Sequence, residues 1–359
     1  MVSLDSSFWS GRRVLLTGHT GFKGSWLALW LVSLGADVSG LSLEPDSHQT
    51  LFENLELVNK LDHRLGDIRD LNLVRQTVSE VQPEVVFHLA AQPLVRSSYL
   101  DPLQTWSTNV MGSVNLMESL RSIDHTCSVV MVTTDKVYQN NEWIYGYREN
   151  DPLGGHDPYS SSKAAAEIAI SSWRNSFCGH ALHQNPHLRI ASARAGNVIG
   201  GGDWSLDRIV PDAIRALANG SPICVRNPHS TRPWQHVLEP LGGYLRLAEA
   251  LFLSSEYASA FNFGPTLDSN RPVKDLVKEM LISWPGHWED VSDANNLHEA
   301  GRLNLVLDLA YHSLGWQPVW DFSLTVSKTV NWYRQVHFNQ ASALECCLAD
   351  LDSFVNSCS

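Results

Sequence analysis

Through roughly its first two hundred residues the chain alternates short apolar runs with longer segments of helical spacing, and few folds accommodate that rhythm. "RRVLLTG" reads as a buried strand, "GSWLALWLVSLGA" as a helix ended by Gly35, and "DVSGLSLE" as a second strand. "LDHRLGDIRD" holds a short strand and its exit, and "LNLVRQTVSEVQ" is an amphipathic helix. "EVVFHLAAQ", "SVVMVTTDKVY" and "RIASARAGNVIG" are further strands, with "TWSTNVMGSVNLMESLRS" and "SSKAAAEIAISSWRNSF" as the helices between them. Strands that alternate with helices pair in parallel, with helices covering both faces. The expected fold is therefore α/β, a doubly wound parallel sheet.

The first strand–helix junction is "TGHTGFKG", in which Gly18, Gly21 and Gly24 stand three residues apart. Such a turn presents backbone N–H groups and a helix N-terminus, and glycines let an anion approach the backbone closely. In isolation the run reads equally well as a tight turn with no ligand. Its place at the first junction of a doubly wound series makes a Rossmann-type dinucleotide site the stronger reading.

Beyond Asn197 the texture changes. Gly, Pro and Arg become frequent, and irregular stretches such as "VRNPHSTRPWQHV" separate the helices. We expect residues 1–195 to form the dinucleotide-binding domain, with 236–265 ("LGGYLRLAEALF" and "AFNFGP") returning to it. Residues 196–235 and 266–335 then make a smaller, interleaved α/β domain, and 336–359 are a tail with little pattern. A chain of 359 residues with 43% apolar and 18% charged residues has the composition of a globular enzyme. A net charge of −12 excludes general affinity for nucleic acid, yet leaves room for a phosphorylated small molecule held by a few arginines. Cys127, Cys178, Cys224, Cys346, Cys347 and Cys358 show no CxxC or CxxH spacing, so reduced thiols are expected, without a disulfide framework or a metal site. "MVSLDSSFWSGRR" lacks the apolar core of a signal peptide, and no stretch approaches the roughly 20 apolar residues of a membrane span. The expected location is the cytoplasm, with no membrane partner.

The form T-G-x-x-G-x-x-G resembles the fingerprint of the extended short-chain dehydrogenase/reductase family. The resemblance implies that Gly18, Thr20, Gly21, Phe22, Lys23 and Gly24 contact the cofactor. Family members carry a polar or acidic residue after the second strand to hold the adenosine ribose. Here the strand ends "GLSLEPD", with Ser42 where an Asp is expected and Glu44 and Asp46 beyond it. No Arg follows to meet a 2′-phosphate, although Lys23 is a candidate for that contact, and NAD is the expected cofactor. Asp67 and Ile68 of "GDIRD" match the family's adenine-contacting pair. Leu89, Ala90, Ala91 and Gln92 of "LAAQ" match the small-residue turn beneath the cofactor.

"YSSSK" places Tyr159 and Lys163 one helical turn apart on one face. A nearby ammonium favours the phenolate, which pulls the Tyr pKa from about 10 toward neutrality and fits it to take a proton from a sugar hydroxyl. By the resemblance, Thr134 completes the triad and orients that hydroxyl. Asp135 and Lys136 follow it directly. This T-D-K set resembles the T-D-E signature of nucleotide-sugar 4,6-dehydratases, with Lys in place of Glu. With "GHTGFKGSWL", "AAQPLVRSSY", "RAGNVIGGGDW" and "RPWQHVLEPLGGYL", it resembles the branch of that family whose substrate is CDP-glucose, over about Trp9 to Trp332. The implied reaction is oxidation at C4, elimination of water across C5 and C6, and hydride return to C6. Tyr159 would serve C4, and Asp135 would be the acid at the C6 oxygen. Lys136 stands where the family's C5 base usually lies, a role that needs a partly neutral lysine, through burial or a neighbouring cation. It serves equally as a stabiliser of the enolate, or simply as the ion-pair partner of Asp135.

Asn197, at the exit of the last strand with Arg194, is placed near the sugar diphosphate by the resemblance. Arg226 and Arg232 suit bidentate phosphate contacts. Arg96 and Arg208 are further substrate-binding candidates, and Trp204 and Trp234 are the aromatic residues to test as substrate contacts. The two long helices between the strands resemble the pair that forms a four-helix interface in this family, which implies a homodimer. A nucleotide-sugar 4-epimerase would use the same triad, but it leaves Asp135 and Lys136 without a task. A silent dinucleotide-sensing protein would have no use for the triad itself.

Overall fold

A computed structural model of the chain describes residues 4–45, 50–292 and 302–358. Six strands of the central sheet come from the alternating half: β1 (Arg13–Thr17), β2 (Asp37–Ser42), β3 (Asp62–Leu65), β4 (Val85–His88), β5 (Cys127–Val132) and β6 (Leu188–Ala195). The seventh, Ala260–Phe263, pairs with β6. The order across the sheet is β3-β2-β1-β4-β5-β6 and then Ala260–Phe263, and every pairing is parallel. The fold is thus the expected doubly wound sheet. The order reverses between β1 and β4, and ligands of such sheets bind at the carboxyl ends of the strands flanking that reversal.

Side-chain alternation along the strands feeds two cores at once. Val14, Leu16, Val85, Phe87, Val130 and Val132 face one layer; Leu15, Val86, Val129 and Met131 face the other. Burial on both faces explains why these strands read as continuous apolar runs. The helices up to the returning strand, in chain order, are α1 (Ser6–Trp9), α2 (Phe22–Ser33), α3 (Leu51–Asn54), α4 (Leu71–Val81), α5 (Val95–Leu100), α6 (Pro102–Trp106), α7 (Ser113–Leu120), α8 (Pro158–Phe177), α9 (Ile209–Ala218) and α10 (Leu238–Leu253). Residues of α2 and α10 fill the first layer; those of α4, α7 and α8 fill the second.

One expected helix, "TWSTNVMGSVNLMESLRS", is not regular. Between α6 and α7 the segment Ser107–Gly112 winds as a π-helix, a form often found beside functional sites. The wide turn brings Asn109 onto the chain around Gln92 and onto Ser162 of α8. It also seats Gly112 on Ile68, where a Cβ would lie 2.5 Å from a side-chain carbon.

The segments before and after the returning strand lie side by side. Thr231–Pro233 pairs antiparallel with Asn270–Pro272, and Ile223–Val225 pairs parallel with Trp288–Asp290. The last residues, patternless in sequence, form the helix Ala343–Cys358, which buries Cys347, Leu351 and Phe354. Phe354 meets Trp30 and Trp320 edge-on, with ring centroids 5.9 and 5.2 Å away. All six cysteines are free thiols, and among the described residues no helix is long and apolar enough to cross a membrane. Phe354→Ala is expected to lower stability by about 3–5 kcal/mol. Urea denaturation checks this, and a loss below about 1 kcal/mol would mean that the terminal helix is not part of the core.

Candidate active site

At the reversal, the three glycines have separate reasons. Gly18 has φ +78°, and a Cβ there would lie 2.7 Å from Ala90 N, so only glycine lets β1 and β4 converge at this point. A Cβ on Gly24 would lie 2.0 Å from Gly18 O. Gly21 is different: a Cβ there would touch only Gly18 O at 3.5 Å. Gly21 caps α2 without a side-chain hydrogen bond, so no side chain takes up the first N–H groups of a twelve-residue helix. That is a cradle fitted to a pyrophosphate. Phe22 packs towards Gly200. His19, inside the glycine run, is a packing group: it is buried behind the turn against Gly40 and hydrogen-bonded to His63 at 2.7 Å.

Ser42, at the end of β2, shares a hydrogen bond of 2.7 Å with Thr20, whose hydroxyl also donates to Leu43 O at 3.1 Å. The position held elsewhere by an acidic residue is therefore a neutral hydroxyl pair, with Glu44 exposed beyond it. Asp46 lies outside the described residues. Asp67 is turned to Arg69 in a two-pronged ion pair, which holds its carboxyl below the usual range, while Ile68 is buried. Leu89 and Ala90 back Gly18, Ala90 N donates to Thr17 Oγ1, and Ala91 and Gln92 follow; the Gln92 amide is fixed by Thr105 and Leu94 O.

The reacting groups gather at the end of β5. Thr134 donates to Asp135 Oδ1 at 3.0 Å and neighbours the Tyr159 hydroxyl. Asp135 is 1% exposed. Lys136 Nζ lies 3.8 Å from Asp135 Oδ1 and donates to Asn197 Oδ1 at 3.4 Å. A Cβ at Gly196 would come within 2.7 Å of Asp135 Oδ2, so that glycine keeps the carboxylate uncrowded. Tyr159 and Lys163 start α8, whose cap is the Asp157–Ser160 box with Pro158 at its first turn.

The electrostatics depart from expectation at two positions. Burial pushes the Tyr159 phenol up to about 12, with the neighbouring Thr134 hydroxyl acting the other way, so the expected pull toward neutrality is not seen. Lys163 is hydrogen-bonded to Val132 O at 3.3 Å, and burial brings it down to about 8. The second departure is Lys23. Instead of reaching out to a ribose phosphate, its ammonium points into the reacting cluster and donates to Tyr244 at 3.4 Å. Burial first, then the cations Arg208, Lys163 and Lys136, bring it down to about 7. Burial beside other cations is the condition a basic lysine needs, and Lys23 meets it. The sequence marks Lys23 only by its place in the glycine loop.

On the substrate side, Arg208 precedes α9, pairs with buried Asp203 at 2.9 Å and acts on both Lys23 and Tyr159. Arg96 and Arg226 converge on Asp207, at 3.0 and 2.8 Å, at a more exposed position. Arg232, on Thr231–Pro233, donates to Thr231 O. Arg194 is buried in an ion pair with Glu167 and does not face the cleft. Nor are the two tryptophans cleft residues: Trp234 is 3% exposed with its indole N–H on Arg271 O, and Trp204 packs on Tyr333. Trp234 is a core group, and Trp204 is half-buried against the same core.

A dinucleotide cradle at the switch of a parallel sheet, with a Tyr–Lys stripe brought against Thr134, defines an extended short-chain dehydrogenase/reductase. The carboxylate and lysine beside Thr134 go beyond what hydride transfer alone requires. The chain belongs to the nucleotide-sugar 4,6-dehydratase family: the family model described as GDP-mannose 4,6 dehydratase matches residues 15–250. It is 46% identical over 333 residues to the CDP-glucose 4,6-dehydratase of Salmonella typhimurium, covering 92% of this chain and 93% of that protein. To the dTDP-glucose 4,6-dehydratase of Haemophilus influenzae it is 25% identical over 350 residues, covering 92% and 99%. The fold matches a crystal structure of UDP-glucose 4-epimerase from Thermotoga maritima with UDP-glucose (TM-score 0.77, 21% identity, 90% and 99% covered). It also matches dTDP-glucose 4,6-dehydratase from Bacillus anthracis in complex with NAD (TM-score 0.75, 19% identity, 91% and 98% covered).

The lowered Lys23 has a consequence for stability. Between about 7 and 10.5 the unfolded chain holds a Lys23 proton that the folded chain releases, so this group's contribution to stability rises with pH across that window. Lys23→Met should raise Tm at pH 7 by about 2 °C or more, with the gap closing toward pH 10. Equal melting curves at both pH values would refute the lowered Lys23 ammonium.

Proposed function

We propose that the protein is a CDP-glucose 4,6-dehydratase that uses NAD and forms CDP-4-keto-6-deoxyglucose and water. The observation that carries this reading is the Thr134–Asp135–Lys136 set held against Tyr159. The 46% identity to the Salmonella enzyme supports the choice of cytidine nucleotide. NAD would lie over Gly18, Gly21 and the first N–H groups of α2, with Ser42 and Thr20 at its ribose, Asp67 and Ile68 at its adenine, and Leu89 to Gln92 beneath it. When bound, it supplies hydride acceptance at C4 and hydride return at C6.

The protein's own groups move the protons. Tyr159, oriented by Thr134, takes the C4 hydroxyl proton, and Arg208 is the cation that favours its phenolate. Asp135 delivers a proton to the C6 oxygen as water leaves. We assign the C5 proton to Lys136, which Asn197 and Asp135 hold at the same strand end; the competent form of the pair carries its proton on Asp135, which leaves Lys136 as the free amine. The diphosphate would be gripped by Arg208 and Arg232, with Arg96 and Arg226 at the mouth. Residues 196–235 and 266–335 would form the nucleotide-sugar half, and residues 1–195 with 236–265 the dinucleotide half. The free thiols fit a cytoplasmic enzyme.

CDP-glucose deuterated at C4 should give a product deuterated at C6, with kcat/KM above that for dTDP-, UDP- and GDP-glucose by roughly tenfold or more. Label lost to solvent, or a 4-epimer as product, would sink the reading. Lys136→Ala should slow water loss by about 10²–10⁴ and accumulate a 4-ketoglucose nucleotide that borodeuteride traps. Tyr159→Phe should form none. Normal water loss in Lys136→Ala would hand the role to Lys23.

We also propose a homodimer through the helices around α6 and α8. Leu100, Leu103, Trp106, Met111 and Ile168 are exposed there, Leu100 by 87%. Sedimentation equilibrium should give twice the 40.0 kDa chain mass at micromolar concentration; the monomer mass would count against it.

A further inference from the structure

Tyr159, Lys163 and Glu167 are spaced four residues apart and form one buried stripe of α8. Each meets a neighbouring residue at the end of β5. The Tyr159 hydroxyl meets Thr134, Lys163 Nζ donates to Val132 O at 3.3 Å, and Thr133 Oγ1 donates to Glu167 Oε1 at 2.5 Å. The other Glu167 oxygen accepts from Ser192 at 2.9 Å and from Arg194 Nη2 at 2.7 Å, both on β6. Arg194 Nη1 then donates to the Tyr138 hydroxyl and to Glu149 O, each at 2.9 Å. Glu167 is 2% exposed.

We propose that Glu167 is a positioning residue for the reaction: by gripping Thr133 just past β5 and Ser192 and Arg194 on β6, it fixes the seat of α8 so that Tyr159 meets Thr134, and it sets a negative charge one turn behind Lys163. The inference rests on the dehydratase reading above. Stability alone does not account for the arrangement, because a buried ion pair is often replaceable by well-packed apolar residues at no loss. An apolar pair would not hold Thr133, the residue next to Thr134. A slip of about 1 Å between reacting groups is enough to cost about 10²-fold in rate.

The charge has a direction of effect. Facing Lys163 are Glu167 on its own helix, Lys23 on α2 and His88 on β4, the last kept neutral by burial. Facing Glu167 are Arg194 on β6 and Arg174 on α8. Burial disfavours the Lys163 ammonium and Glu167 opposes that effect. Without the carboxylate, Arg194 becomes an unbalanced cation nearby, and Lys163 sheds its proton at lower pH.

In the full-length enzyme, Glu167→Gln should lower kcat about 10- to 100-fold, leave KM for CDP-glucose within about threefold, and move the alkaline limb of the kcat/KM profile down by about one pH unit. Glu167→Asp should restore part of both. Ser192→Ala, which removes one of the three grips and leaves the Glu167 charge in place, should lower kcat less than Glu167→Gln and leave the alkaline limb where it is. A folded Glu167→Gln with wild-type kcat, or with an unmoved profile, would overturn the proposal. Should that variant fail to fold, Thr133→Val decides: kcat should fall with the alkaline limb in place, because Glu167 keeps its charge, and a wild-type kcat refutes the role. Wild-type enzyme inactive on CDP-glucose but active on another glucose nucleotide would refute the base preference only, and the Glu167 comparison is then made with that nucleotide.

Discussion

The seat of α8 on the end of β5 is the contact on which the rest of the site depends. A parallel strand buried on both faces brings Thr134 and Asp135 to the carboxyl edge of the sheet with little freedom. The helix brings Tyr159 and Lys163 on one stripe, at a spacing that helical geometry sets. Neither element has chemistry alone. Their relative height decides whether the Tyr159 hydroxyl reaches Thr134 or misses it by one residue. Capping by Asp157 and Pro158 determines where the helix begins, and the dry polar contact around Glu167 determines how deep it sits.

Around that seat the site solves an electrostatic problem. Lys23, Lys136, Lys163 and Arg208 gather around Asp135, with Asp203 on Arg208 and Glu167 behind Lys163, so cations outnumber carboxylates at the cleft. Such an arrangement favours a polyanion such as a sugar diphosphate, even though the whole chain is acidic. It also accounts for the near-neutral range of Lys23: burial among cations disfavours one more charge. Tyr159 goes the other way, because a phenolate in a dry pocket beside Asp135 is disfavoured until a cationic neighbour or partner offsets it.

Much of the fold was legible in the chain because parallel strands announce themselves as unbroken apolar runs and the first glycine turn marks the switch. The seven strands and the helices α2, α4 and α8 lie where those patterns place them. What the chain did not disclose depends on contacts between distant segments. The π-turn at Ser107–Gly112 arises from Asn109 reaching Gln92 and Ser162, which no local spacing encodes. The Ala343–Cys358 helix has few strong cues, and its burial depends on Trp30 and Trp320. In the site, Thr134, Asp135, Lys136 and Tyr159 do come together as motifs foretold. Trp234, expected as a substrate contact, is buried because nearness in sequence to a motif says nothing of which way a side chain points. Lys23 was underrated for the same reason.

The outermost strand of the sheet bears on how the protein is made. Ala260–Phe263 covers the edge of β6, although β6 ends at Ala195. Some sixty residues of other structure therefore leave the ribosome between an edge and its cover. During synthesis at about 5–20 residues per second, β6 spends several seconds as an open, apolar edge of the kind that recruits foreign strands. The chain is exposed to aggregation in that interval, before the reacting groups have been tested by any substrate. A slow stretch of translation after residue 195 would prolong the hazard, and a chaperone that shields strand edges would shorten it.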